Sequence, residues 1–292
     1  MAKMEYMPQG IKEIYFKDSL FVTTGLEEDE NKEVKGYIEC RGGIIRDSVT
    51  KNTDCLIYKD GGEETAEYRK AMDLIRDKGL EINVLPLSLF LETGAGEGTI
   101  EFGRYPFEAD GTEKPIRWIV LRREEGRALL LSAYGLDAKP YNEKFEAVTW
   151  ETCTLRRWLN REFFETAFTE DEKRRILLTK LQNEDDPRYQ TPGGNDTEDR
   201  VFLLSVQEVE EYLPEELVRR KKATPNTVNL GALNGCNGNC WWWLRSSGDD
   251  PYTAAGVYGS GDIDDIGLYV YVSKSGVCPA LWIKSERQGA NA

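Results

Sequence analysis

The chain changes texture once, at Thr93 to Gly98 (TGAGEG), and that change sets the folding problem. A polar, glycine-rich stretch carries no side chains with which to build a core, so it reads as a flexible linker. It lacks the Lys-Ser/Thr pair of a phosphate loop. Before it, short apolar runs alternate with helix-period segments. After it come hairpin-like runs, a few helices and a long helix-free stretch. At 292 residues the length suggests about two domains. The linker, 93–98, therefore separates a domain at 11–92 from one at 99–285.

In the first domain Leu20 to Thr24 (LFVTT) is an apolar, β-branched strand. A helix from about Glu30 places Val34, Tyr37 and Ile38 on one face and stops at Gly42-Gly43. Ile44-Ile45 and Cys55 to Tyr58 (CLIY) are strands. Thr65 to Lys78 is a second helix with Gly79 just past its end, Ile82 to Leu85 is a fourth strand, and Pro86 opens a last short helix. The order βαββαβα predicts an α/β layer: a parallel sheet covered on both faces.

The second domain reads as α+β, with short strands, two or three helices and long loops. Trp118 to Leu121 and Ala128 to Ser132 suggest a hairpin turning at Glu124 to Gly126. A helix is expected over Thr152 to Phe164. Thr169 with Glu172, and Ser205 with Glu208, have the capping-box spacing that opens two more. Gln182 to Arg200 is a long polar loop. Beyond Leu230 the chain is mostly Gly, Asn, Asp, Ser and aromatic residues, without helical periodicity.

The net charge is −14, which opposes general binding to nucleic acid. The one dense basic run, Arg219 to Lys222, reads as the solvated end of a helix. No apolar run approaches the roughly 20 residues of a membrane helix. Met1 to Gly10 lacks the apolar core of a secretory signal, so a cytoplasmic protein is expected, and the six cysteines are expected to be reduced thiols. Histidine is absent, which removes the commonest general base and metal ligand. A binding protein is expected rather than an enzyme.

The first domain resembles the BRCT family. The resemblance rests on Thr23-Thr24-Gly25, Gly42-Gly43, the run from Asp47 to Asp60 (DSVTKNTDCLIYKD), the helix around Tyr68 to Ala71, and Phe90-Leu91. It looks most like the single module of bacterial DNA ligases and implies protein–protein contact. Phosphate-binding members use a Ser/Thr and a Gly after the first strand, which would be Thr24 and Gly25 here. Glu67 falls where their Lys would stand and repels phosphate, leaving Arg69 or Lys70 as substitutes.

Residues from about Gly98 to Lys284 resemble a C-type-lectin-fold family of bacteria and phages. The carrying motifs are GRYP (Gly103 to Pro106), LLLSAYGLDAKPYN (Leu129 to Asn142), VTWETCTLRRWLN (Val148 to Asn160), WWLRSSG (Trp242 to Gly248) and GVCPALWI (Gly276 to Ile283). Its members include the variable proteins of diversity-generating retroelements, whose adenine-directed mutagenesis of Asn codons cannot reach Glu, Lys, Gln, Met or Trp. None of those occurs in 249–273. In this reading Trp241, Trp242, Trp243 and Leu244 form an apolar base. Ala254, Val257, Gly261, Ile263, Val270, Gly276 and Val277 are framework. The displayed ligand-binding positions are Asp249, Asp250, Tyr252, Thr253, Tyr258, Ser260, Asp262, Asp264, Asp265, Ile266, Leu268, Tyr269, Tyr271 and Ser273. Tyrosine among small polar residues is the chemistry of a paratope, and the aspartates suggest a protein partner with a basic patch.

Asp262, Asp264 and Asp265 are candidate calcium ligands, without the spacing of an EF-hand. Cys236, Cys240 and Cys278 lack a fourth ligand for zinc, and Cys278 stands where the family usually carries Arg. No cofactor or metal is otherwise expected. Two alternatives follow from the resemblances. One is a repair-associated adaptor working through the BRCT module. The other is an oxidase like the formylglycine-generating enzymes, whose core motif is not found here.

Overall fold

The structure, a computed structural model, describes residues 16–94, 98–232, 235 and 238–285. The expected domain start at 11, linker residues 95–97 and Cys236 lie outside the described residues. The chain divides into two compact units, Met1–Gly94 and Ala95–Ala292.

The first unit runs β1 (Leu20–Thr24), α1 (Glu28–Cys40), β2 (Ile44–Arg46), β3 (Cys55–Tyr58), α2 (Ala66–Lys78), β4 (Asn83–Pro86) and α3 (Leu87–Gly94). The four strands form a parallel sheet in the order β2-β1-β3-β4. Successive side chains of a strand point to opposite faces, so β1 serves two cores. Phe21 meets Phe16, with ring centroids 5.6 Å apart, and Phe90 of α3, which also packs on Tyr37 of α1. The next residue, Val22, faces the cluster of Leu56, Ala71 and Ile82 beneath α2. Helix α2 starts where Thr65 Oγ1 accepts the Tyr68 amide and ends with Gly79 left-handed at φ 61°.

The second unit contains two larger sheets. One is antiparallel, with Ala280–Lys284, Arg127–Ser132, Glu113–Glu124 and Thr99–Pro106 in that order. The other runs Ile263–Tyr269, Thr253–Val257, Trp242–Ser247, Gly276–Val277 and Asp137–Ala138. Its middle strand is dry on both faces. Trp241 is 6% exposed, and Trp242, Trp243 and Leu244 are fully buried. A buried indole needs a partner for its N–H. Trp241 donates to Asp264 Oδ2 (3.3 Å), Trp242 to the Arg219 carbonyl (3.1 Å) and Trp243 to the Lys139 carbonyl (2.9 Å). Gly256 lies against Trp241, where an added Cβ would stand 2.0 Å from the indole carbon Cζ2.

Both expected capping boxes are present, at Thr169/Glu172 and Ser205/Glu208. Glu208 does more than cap. It also pairs with Arg245, a guanidinium 6% exposed that donates to the Leu203 carbonyl at 3.0 Å.

Three expectations are corrected. The single helix over Thr152 to Phe164 is Thr154–Trp158, a π-helical turn at Leu159–Phe163, and Phe164–Ala167. In that turn Asn160 accepts from the Arg200 and Val201 amides and donates to the Val201 carbonyl, contacts 40 residues away that local periodicity cannot reveal. Second, the helices exceed two or three. Glu216–Arg219 and Pro225–Asn229 are too short to show a period, although Thr224 as cap and Pro225 as first residue mark the latter. Third, Arg219 to Lys222 is not a solvated helix end. Lys221 opens a strand and is 1% exposed, and Arg219 and Arg220 donate to the Leu213 and Ser260 carbonyls.

Candidate functional site

The edge of the five-stranded sheet is a hairpin, Thr253–Val257 with Ile263–Tyr269, paired from Thr253↔Tyr269 to Val257↔Ile263. The residues expected to form one displayed surface separate along it. Tyr258, Ser260 and Asp262 are exposed at the turn. Asp249, Tyr252, Tyr269, Tyr271 and Ser273 are exposed and Asp250 half-buried towards the other end. At about 3.3 Å per residue, the four-residue span puts the two ends about 13 Å apart. Between them Ile266 is exposed, while Asp265 and Leu268 are half-buried.

Two of the expected displayed residues are buried. Asp264, 5% exposed, accepts the Trp241 indole N–H and the Gly267 amide (3.0 Å). Simple alternation fails because the strand bulges. Gly267 takes φ +81°, and the register slips opposite Ala254 to Gly256. Thr253, 6% exposed, closes the preceding turn by accepting the Asp250 amide and donating to Asp249 Oδ1. Both hold the frame. Of the expected framework residues, Ile263 is half-buried and the others are buried.

The site gains one residue that the sequence did not indicate. Phe145 is 59% exposed, and its ring meets Tyr252 at 5.0 Å, Tyr271 at 5.3 Å and Tyr269 at 5.6 Å. Tyr269 and Tyr271 stack at 6.0 Å. The loop carrying Phe145 is fastened on both sides. The Asn142 amide donates to the Val270 carbonyl (2.8 Å) and the Val148 amide to the Pro251 carbonyl (3.0 Å). Local sequence marks this phenylalanine only weakly, since its partners follow more than 100 residues later. A lone aromatic in the polar run NEKFEAV was the available signal.

Charge around the rings is mainly negative. Glu143, Glu146 and Asp249 are exposed and Asp250 half-buried, against Lys144 and Lys274. None of these six is in an ion pair among the described residues. At the hairpin's middle, by contrast, Asp265 is paired with Arg188 at 2.8 Å. Asp262 accepts from Ser260 at 2.7 Å, and burial together with the Asp264 carboxylate raises the Tyr258 phenol. The three candidate calcium carboxylates thus have separate partners, and among the described residues no three His, Cys, Asp or Glu are grouped to hold a metal. Burial pushes the Cys240 thiol up to about 12 and Cys278 well above its usual value.

In the first unit Thr24 ends β1, and Gly25 lies beside Thr65 at the start of α2. The neighbouring cation, Lys59, pairs with Glu27 at 2.5 Å. Arg69 donates to the Glu64 carbonyl, and Lys70 to Ser48 Oγ at 2.7 Å. Glu67 accepts the Val49 amide at 2.5 Å, tying α2 to the loop before β3. The basic residues proposed for phosphate are therefore engaged within the unit. Among the described residues no helix is long and apolar enough to cross a membrane.

Comparison with known proteins agrees with the parallel-sheet architecture. Residues 12–75 match the BRCA1 C Terminus (BRCT) domain, so the chain carries a BRCT domain at its N-terminal end. A DNA ligase of Acanthamoeba polyphaga mimivirus is 38% identical over 69 residues, 24% of this chain and 10% of the ligase. The chain thus spans a small part of that relative. Residues 125–285, more than half of the chain, match the family described as Domain of unknown function (DUF6273). The chain belongs to that family.

Proposed function

We propose that this chain is a non-catalytic adaptor with two protein-binding modules. The BRCT domain makes one contact, and its likeness to part of a DNA ligase supports a partner in DNA joining or repair. The second unit makes another through Phe145, Tyr252, Tyr269 and Tyr271. The observation that carries this reading is that four rings, three of them gathered around Phe145, remain 39% to 59% exposed. Contiguous aromatic surface costs solubility unless a partner covers it, and aromatic residues concentrate at the centres of protein interfaces. Photo-crosslinking in cells tests the reading. A photoreactive residue at position 145 should trap a discrete partner, and one at the isolated, exposed Leu178 should not. Equal labelling at both positions contradicts the reading.

A second, finer reading is favoured by the burial pattern of 249–273. The scaffold resembles a C-type lectin fold, and the exposed positions are those a retroelement diversifies. Supporting it, Ala254, Val257, Gly261 and Val270 are buried while most interleaved positions are open. Sequencing around the gene tests it. A template repeat and a reverse transcriptase are expected, and the lack of both overturns it.

A further inference from the structure

We propose that the ring cluster of the second unit receives an arginine-bearing segment of its partner, with Phe145 as the anchor supplied from outside the hairpin. The inference rests on the docking reading above and goes further, to the chemistry of the occupant.

Three observations select that chemistry. The first is the ring surface, 39% to 59% exposed, since an aromatic face attracts a cation within about 6 Å. Arginine suits it better than lysine, because a flat, weakly hydrated guanidinium stacks on a ring with less loss of solvation. The second is the rim. Glu143, Glu146, Asp249 and Asp250 outnumber Lys144 and Lys274, and none has an ion-pair partner among the described residues. Elsewhere on the same hairpin a carboxylate is already neutralised, at Asp265 with Arg188. Exposed acidic charge without a cationic partner among the described residues thus flanks Phe145 and Tyr252 in the chain. The third is rigidity. The Phe145 loop and the Tyr252 turn are fastened to the hairpin by backbone hydrogen bonds, from Asn142 to Val270, Val148 to Pro251, and Val270 to Tyr252. A surface fixed before binding loses little entropy on association.

Other occupants fit less well. A second copy of this chain would bring the same acidic rim against itself, in a chain of net charge −14. A nucleic-acid backbone meets the same repulsion. An apolar helix needs a groove, whereas these rings form an open patch.

The test uses the full chain and a fluorescein-labelled probe peptide carrying three arginines spaced by Gly-Ser, read by fluorescence anisotropy at about 150 mM salt, where long-range attraction is screened. Neutral citrulline replaces arginine in the control peptide. The arginine peptide should bind at least about tenfold tighter than the citrulline peptide. Phe145→Ala with Tyr271→Ala should weaken it about tenfold without changing any charge. Asp249→Asn with Asp250→Asn should weaken it several-fold and flatten its salt dependence. Circular dichroism and a thermal melt establish that both variants fold, and Tyr271→Phe, which keeps the ring, should retain binding. The proposal is overturned if citrulline binds equally, if the ring variant binds like the parent, or if no binding appears at millimolar peptide. It is also overturned if sedimentation shows self-association that Phe145→Ala abolishes. A discrete crosslink at position 145 with no arginine binding removes the cationic assignment alone, whereas loss of both removes the docking surface as well.

Discussion

Each unit of this chain contains a cluster of four aromatic rings with similar spacing, one largely buried within its unit and the other exposed on its unit's surface. In the first unit Phe16, Phe21, Tyr37 and Phe90 pack with centroids 5.6 to 6.3 Å apart between the sheet and helices α1 and α3. Phe21 and Phe90 are fully buried there and Tyr37 is 5% exposed. In the second unit Phe145, Tyr252, Tyr269 and Tyr271 are spaced at 5.0 to 6.0 Å and face solvent. Ring geometry alone therefore does not distinguish a core from an interface. The difference lies in what covers the rings: helices in one case, and in the other no element that closes over them among the described residues.

The sharpest way to break this comparison is to truncate a ring on each side. Phe90→Ala should cost about 3–5 kcal/mol in denaturant titration of the first unit's unfolding, because it removes a buried ring and leaves a cavity. Phe145→Ala should cost under about 1 kcal/mol, since surface substitutions usually do. Comparable losses would erase the distinction.

Within the hairpin the contrast repeats at the level of single carboxylates. Asp264→Ala should cost about 1–3 kcal/mol, because it strands the buried Trp241 indole N–H and frees the Gly267 bulge. Asp265→Ala should cost less than about 1 kcal/mol, since it removes only an exposed pair with Arg188. Thermal melts of the two variants check the order. If Asp265→Ala proved the more damaging, Asp264 would belong with the displayed residues after all. The smallest effect is expected from Ser260→Ala, which removes one exposed hydrogen bond to Asp262 and should leave the melting temperature within about 1 °C.

What the sequence revealed depended on how local each signal was. The order of the first unit was legible because its strands are short apolar runs and its helices are bounded by Thr65 and the glycines. The two capping boxes were legible from their spacing. Tyr258, Tyr269 and Tyr271 are exposed, as the family resemblance implied; residue types alone suit tyrosines packed in strands equally well. Asp264 and Thr253 were misplaced because strict alternation cannot see a bulge or a turn-closing hydroxyl. Lys221 looked like surface charge, and its burial follows from a strand pairing with Cys240 that no local pattern records. Phe145 was missed for the same reason, as its meaning comes from tyrosines far along the chain.

The central claim is that the outer rings do not hold the fold. Calorimetric melting of the chain carrying Tyr258→Ala, Tyr269→Ala and Tyr271→Ala tests it most directly. For a unit of this size each 1 kcal/mol shifts the melting temperature by about 2–4 °C. The transition of the second unit should stay cooperative and fall by no more than about 5 °C. A fall beyond about 15 °C, or loss of the cooperative transition, would mean that these tyrosines are core residues and that the surface described here is not a binding face.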